Sequence, residues 1–233
     1  MNRLLIKPDQ NLGEGIVSFM LTKAYFDKHS SEFNENTSIE DFLGSSLGLP
    51  IVWIDQVHGS KIDLVKRDSL NLLDICDGLY TEEENIALAI KTADCLPLVL
   101  SSKEGKEVSA LHVGWRGLQE GIVENSILNF KCLSENLVAW LAPCISSKNY
   151  EVGEDVYSLF KKSDSQSVSS FKSSPNDSKW LLSLKQECTR RLKKFGVEVI
   201  TNTFCTFKDE DLFYSHRRNS SLKRMVTVVW RKT

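Results

Sequence analysis

The stretch Ala87–Gly117, ALAIKTADCLPLVLSSKEGKEVSALHVGWRG, decides the fold. With Ile86 just ahead of it, it carries three short apolar runs, Ile86–Ile90, Leu96–Leu100 and Val108–Leu111, each bounded by polar or turn-forming residues. Runs this short fit buried strands, since a helix needs about ten residues or more. The first ends at Thr92-Ala93-Asp94-Cys95 and the third at His112-Val113-Gly114-Trp115-Arg116-Gly117. Upstream, Ile51–Ile54 is another such run, ending at Asp55-Gln56-Val57-His58-Gly59. Strand ends thus deliver His58, Cys95 and His112.

Around this centre the chain reads as one α+β domain spanning residues 1–233, with no internal repeat. An opening hairpin turns at Asn11–Gly15 and continues into a strand over Ile16–Leu21. Ser38, followed by Glu40 and Asp41, signals a helix start. Asp77-Gly78, within 74–81, reads as a tight turn. The apolar spacing over Leu118–Phe130 predicts one amphipathic helix. Leu137–Leu141 is a strand, Glu151–Lys162 a helix, and the serine-rich tract 163–179 a loop of little order. A long helix over Trp180–Phe195 ends at Gly196, and strands follow at Val197–Thr201 and Met225–Trp230.

The composition sets limits on function. Of 233 residues, 41% are hydrophobic and 26% charged, which is ordinary for a globular protein. A net charge of -2 argues against a nucleic-acid partner. No apolar run reaches the length of a membrane span, and the N-terminus has no signal-peptide core. The six scattered cysteines form no CxxC pair and read as reduced thiols of a cytoplasmic protein.

Two imidazoles and a thiolate suit zinc, or copper, far better than magnesium or calcium. Three protein ligands leave a fourth position for water, the mark of a catalytic zinc site, where the water's pKa falls to about 7. The spacing of His58, Cys95 and His112 matches no compact zinc finger, so it does not by itself choose a metal. The same atoms also permit a metal-free reading, with Cys95 as nucleophile and His112 or His58 as its base. Asp94 is a candidate for orienting a histidine or a substrate. Arg116, ahead of the expected helix, suits an anion, because a helix N-terminus and a guanidinium fork both attract one. Arg217 and Arg218 form a second basic pair, while His216 and His29 read as surface residues.

These strings resemble the laccase-domain family, whose members are described as multicopper polyphenol oxidases and as purine nucleoside phosphorylases. The resemblance rests on DQVHGS (55–60), CDGLYT (76–81), IKTADCLPLVL (90–100), ALHVGWRGL (110–118), APCIS with YEVG (142–153) and FYSHRR (213–218). It implies a layered α/β/β/α fold similar to the catalytic domain of cytotoxic necrotizing factor toxins. It also implies a metal held by His58, Cys95 and His112, zinc first and copper as the alternative. The implied activity is phosphorolysis of adenosine, inosine and 5'-methylthioadenosine, with adenosine deamination, by a monomer or homodimer. Asp94, Arg116 and Arg217 would then meet the purine nucleoside and phosphate. The resemblance leaves two alternatives, an amidase editing peptidoglycan precursors and a copper-dependent polyphenol oxidase. One His2Cys site and four histidines are few for a multicopper oxidase.

The chain departs from the family pattern in two places. Where a T-R-x-G-G segment is usual, it reads FMLTKAYFDKHS (19–30), with Lys23 in place of the arginine. Where Gly-Arg is usual near the end, it has Lys223-Arg224. Both departures bear on substrate range.

Overall fold

The computed structural model describes residues 3–32, 38–68, 70 and 75–233. A five-stranded sheet runs in the order β1 (Leu5–Ile6), β2 (Ile16–Leu21), β14 (Met225–Arg231), β6 (Ala87–Thr92) and β3 (Ile51–Val52). Its neighbours are antiparallel except β6 and β3, which run parallel. A six-stranded sheet runs in the order β13 (Glu198–Ile200), β9 (Leu137–Leu141), β7 (Leu96–Ser102), β8 (Val108–Val113), β5 (Gly78–Thr81) and β4 (Ile62–Leu64). A small antiparallel sheet joins β10 (Glu151–Gly153), β12 (Lys179–Leu182) and β11 (Phe171–Ser173). The helices are α1 (Lys23–Lys28), α2 (Ile39–Leu47), α3 (Trp115–Gln119), α4 (Ile122–Asn129), α5 (Glu154–Ser163), α6 (Leu184–Lys194) and α7 (His216–Asn219).

Alternation along the strands sorts the side chains into layers. On β8, Val108 and Ala110 join a cluster with Leu88, Ile90, Val226 and Val228 of the five-stranded sheet. Leu111 and Val113, on the other face, pack with Ile122 and Val123 of α4 and Leu192 of α6. The inter-sheet cluster continues to Phe26 of α1 and Leu43 of α2. The result is a single α+β domain layered α/β/β/α. Each fully buried leucine or valine stabilises it by about 1.5–3 kcal/mol.

Several expectations are corrected. Residues 118–130 form two helices, not one, because Gly121 at φ 90 breaks the hydrogen-bonding run while leaving the apolar face intact. Asp77-Gly78 is no turn: Gly78 opens β5, and a Cβ there would lie 2.6 Å from Leu111 Cδ2. Asp74 of that expected turn lies outside the described residues. Glu151–Gly153 is strand, so α5 begins three residues later than expected. The tract 163–179 is ordered: Ser165–Ser170 winds as a 3-10 helix and β11 follows, with Ser167 and Ser170 buried. The last long helix starts at Leu184, capped by the Ser183 hydroxyl, because Lys179–Leu182 pairs on both sides as β12.

Ser38 caps α2 as its sequence signals, accepting from the Asp41 N–H. All six cysteines are free thiols. No helix among the described residues is long and apolar enough to cross a membrane.

Candidate metal centre

The chain passes from the five-stranded to the six-stranded sheet at residues 93–95, between β6 and β7. That crossing carries Cys95. His58 arrives from the five-stranded side, since β3 lies beside β6 and the loop after it follows β6 to its end. The Gln56 side chain extends this pairing: its amide donates to the Lys91 carbonyl at 2.8 Å, and its oxygen accepts the Lys91 N–H at 2.9 Å. His112 arrives from the six-stranded side, opposite Pro97 in the β7–β8 ladder. The ligand atoms of His58, Cys95 and His112 lie within 4.8 Å of one another. The two imidazoles meet edge to face, 4.6 Å between centroids.

Asp77 organises both histidines. This buried carboxylate accepts backbone N–H bonds from Val57 (3.1 Å), His58 (2.9 Å) and Gly59 (2.6 Å). It also accepts from His112 Nδ1 at 2.7 Å. The three amides hold His58 at φ 65, a left-handed conformation rare for a residue with a Cβ. The imidazole bond leaves His112 Nε2 as the nitrogen that faces Cys95, the usual carboxylate–histidine arrangement behind a metal ligand. Burial pushes the Asp77 carboxyl up, but the His112 hydrogen bond and the backbone amides hold it below its ordinary value. Sequence reasoning missed Asp77 because Asp-Gly reads as a turn. Asp77→Asn is expected to weaken zinc binding about 10–100-fold, measured by competition with a chromophoric chelator.

Burial pushes the Cys95 thiol up, yet the charge and hydrogen bond of His112, with a further bond from His58, bring it down to about 6. Burial lowers His112, while Cys95 and Asp77 raise it, to about 9 overall. The pair therefore favours a thiolate, the form that binds metal or attacks an electrophile. Gly114 gives the site its room. A Cβ there would sit 2.9 Å from His58 Cδ2 and 3.5 Å from Cys95 Sγ. Gly114→Ala is expected to displace the His58 ring and lower zinc affinity about tenfold, within the range for disturbed ligand support, with the zinc-free protein still folded by circular dichroism.

The other sequence-derived candidates separate. Asp94 sits at φ 90, buried, and both its carboxylate oxygens are occupied. Oδ1 accepts from Thr206 (2.7 Å), and Oδ2 from Ser215 (2.9 Å) and the Arg217 N–H (2.7 Å). It pins the 213–218 segment against the centre. Arg218 spends its guanidinium on the carbonyls of Thr206, Phe207 and Phe213, so it is no anion contact. Arg217 is exposed, donates to the Glu151 carbonyl and lies over the Tyr150 ring. Arg116 is exposed over the Trp115 ring. Its helix α3 is a single short turn, so any pull on an anion comes from the guanidinium and not from a helix dipole. His29 is half-buried against Tyr25 and pairs with Glu32, away from the centre.

A cavity of about 560 Å³ opens on the three ligands, within the usual range for small-molecule sites. Its walls include Asp55, Trp115, Arg116, Tyr150, Arg217 and Arg224. Lys91 also reaches it, held by Glu40 and the face of Trp53. A slightly larger cavity of about 610 Å³, between Leu5, Trp140 and Phe204, contains no cluster of metal-ligating residues among the described residues and lies away from the chemistry.

Two facing sheets that exchange the chain at a two-histidine, one-cysteine cluster define a single-domain α+β protein with a candidate metal centre. Residues 25–232 match the family described as multi-copper polyphenol oxidoreductase laccase, and the chain belongs to that family. It is 32% identical to a Haemophilus influenzae protein named purine nucleoside phosphorylase, over 88% of this chain and 82% of that one. It is 33% identical to the Escherichia coli purine nucleoside phosphorylase YfiH, over 81% of this chain and 77% of that one. A Neisseria meningitidis crystal structure superposes with a TM-score of 0.88 at 26% identity, covering 99% of this chain and all of that one.

Proposed function

We propose that this protein is a zinc-dependent purine nucleoside phosphorylase that also deaminates adenosine. The observation that carries the reading is the His58–Cys95–His112 cluster at the floor of a cavity walled by aromatic rings and guanidinium groups. The donor set fits zinc: two imidazoles and a low-pKa thiol converge, and Asp77 fixes the His112 tautomer. When bound, zinc supplies Lewis acidity and activates water at neutral pH. One such ligand group among the described residues favours this reading over an oxidase with several copper centres.

The chain's own residues supply the rest. Trp115 and Tyr150 offer faces to a purine, and Arg116 with Arg217 offers forks to phosphate. In phosphorolysis the C1'–N9 bond breaks and a bond from phosphate oxygen to C1' forms, while the base leaves with a proton. In deamination water replaces the amino group at C6 and ammonia leaves. Asp94 is a positioning residue for Arg217, because its oxygens are already committed. Asp55, exposed and lining the cavity, is the carboxylate placed to carry protons.

The test is direct. Purified protein is incubated with adenosine, inosine or 5'-methylthioadenosine, with and without phosphate and zinc, and purines are separated by chromatography. Free base that requires both phosphate and zinc, and inosine that requires zinc alone, are expected. Absence of any purine product under all conditions overturns the reading. Release of an amino acid from a serine-containing muropeptide precursor in the same preparation would move the assignment to the amidase.

A further inference from the structure

We propose that the cavity takes a nucleoside that itself bears a phosphate ester, a nucleoside 5'-phosphate, alongside inorganic phosphate. This rests on the nucleoside reading above and extends it to the substrate's charge. The arginines that hold the fold together are committed to carbonyls or carboxylates. Arg218 donates to three carbonyls, and Arg191 to Glu187 and Glu124. The cavity arginines are less committed. Arg116 lies over the Trp115 ring, and Arg217 gives one nitrogen to the Glu151 carbonyl. Arg224 gives one nitrogen to the carbonyls of Ser221 and Lys223. Among the described residues none of the three has a carboxylate within salt-bridge distance. Each guanidinium carries five N–H donors, so most of these are left without a hydrogen-bond partner among the described residues.

The arginines also sit on opposite walls. Arg116 follows His112 off the six-stranded sheet. Arg224 leads into β14 of the five-stranded sheet, and the next residue, Met225, pairs with Thr92, just before Asp94 and Cys95. One phosphate dianion is satisfied by one or two bidentate forks. Arg116 and Arg217 meet that need for the attacking phosphate. Arg224, from the other wall, is left for a second phosphate, and adenosine and inosine have their one free primary hydroxyl for esterification at C5'.

Titration calorimetry on the zinc-loaded protein separates the outcomes, using adenosine 5'-monophosphate, adenosine and inorganic pyrophosphate as probes. The monophosphate is expected to bind at least tenfold more tightly than adenosine, and the ratio is expected to fall as salt is added. In Arg224→Gln the ratio should collapse toward one, and Arg224→Lys should lie between. Equal affinity for the two purines overturns the proposal and leaves the nucleoside reading to its product assay. A preference that survives Arg224→Gln, or that disappears in Cys95→Ala protein with its forks intact, overturns it as well. So does pyrophosphate matching the monophosphate, since the base would then contribute nothing. Tight binding of the monophosphate with no purine released from any substrate supports the phosphate-ester site and removes the phosphorylase reading.

Discussion

Cys95→Ala protein is expected to bind zinc about 1,000-fold more weakly than the parent, while the zinc-free variant folds normally. The thiolate supplies one of three bonds and the only negative charge among the ligands. Zinc sites release about 10–16 kcal/mol on assembly, so losing one ligand in three or four costs roughly 3–5 kcal/mol, and each 1.4 kcal/mol is about tenfold. The fold should survive because Cys95 belongs to neither hydrophobic cluster. The two effects are separable by melting each protein with and without zinc. A stabilisation by zinc of about 4 kcal/mol at 1,000 times the parent's dissociation constant should nearly vanish in the variant. Unchanged zinc content by elemental analysis would sink the metal reading of this cysteine and favour the metal-free nucleophile, for which the lowered thiol pKa is the physical basis.

The sequence made the strands legible wherever packing demands continuous apolar character. Ile86–Ile90, Leu96–Leu100 and Leu137–Leu141 are buried on both faces, so nothing polar interrupts them. The three ligands were legible because each stands where such a run stops. Asp77 was not, because its partners come from residues 57–59 and 112, and only the β5–β8 pairing brings these together. Asp94 lines the cavity, as its place beside Cys95 suggests, but its hydrogen-bond partners are hidden in the sequence for a related reason. Its neighbours in sequence suggested a site role, while its carboxylate turns to Thr206 and Ser215, over a hundred residues away. Gly121 does not stand out in the sequence because a break of one residue hardly disturbs a pattern of apolar spacing. Residues 163–179 depart furthest from their sequence pattern. Serines usually mark solvent-facing loops, but Ser167 and Ser170 are buried by hydrogen bonds to Glu187, a charge on another element.

That buried carboxylate carries the largest expected change in stability. Glu187 is fully buried on α6 and accepts from Arg190, Arg191, Ser167 and Ser170. Burial pushes it up, but the two guanidinium groups and the serine hydroxyls together pull it down to about 2. A carboxyl held lower in the folded than in the unfolded chain adds stability above its unfolded pKa, and the gain is lost as pH falls through the folded value. At roughly 1.4 kcal/mol per pH unit, a drop from the ordinary 4.5 to about 2 stabilises the fold by about 3 kcal/mol near neutrality. Roughly 2 kcal/mol of this should be gone by pH 3. Glu187→Gln removes the charge while Arg191 stays buried, with Glu124 its remaining carboxylate partner, so a loss of about 3–5 kcal/mol at pH 7 is expected. Urea unfolding of both proteins at pH 7 and pH 3 tests this. The parent should lose about 2 kcal/mol more than the variant across that interval, and the difference between the two proteins should shrink in acid. Parallel pH profiles would mean that the four contacts do not favour the ionised form, and that the serine tract is held by packing of Phe171 and its neighbours instead.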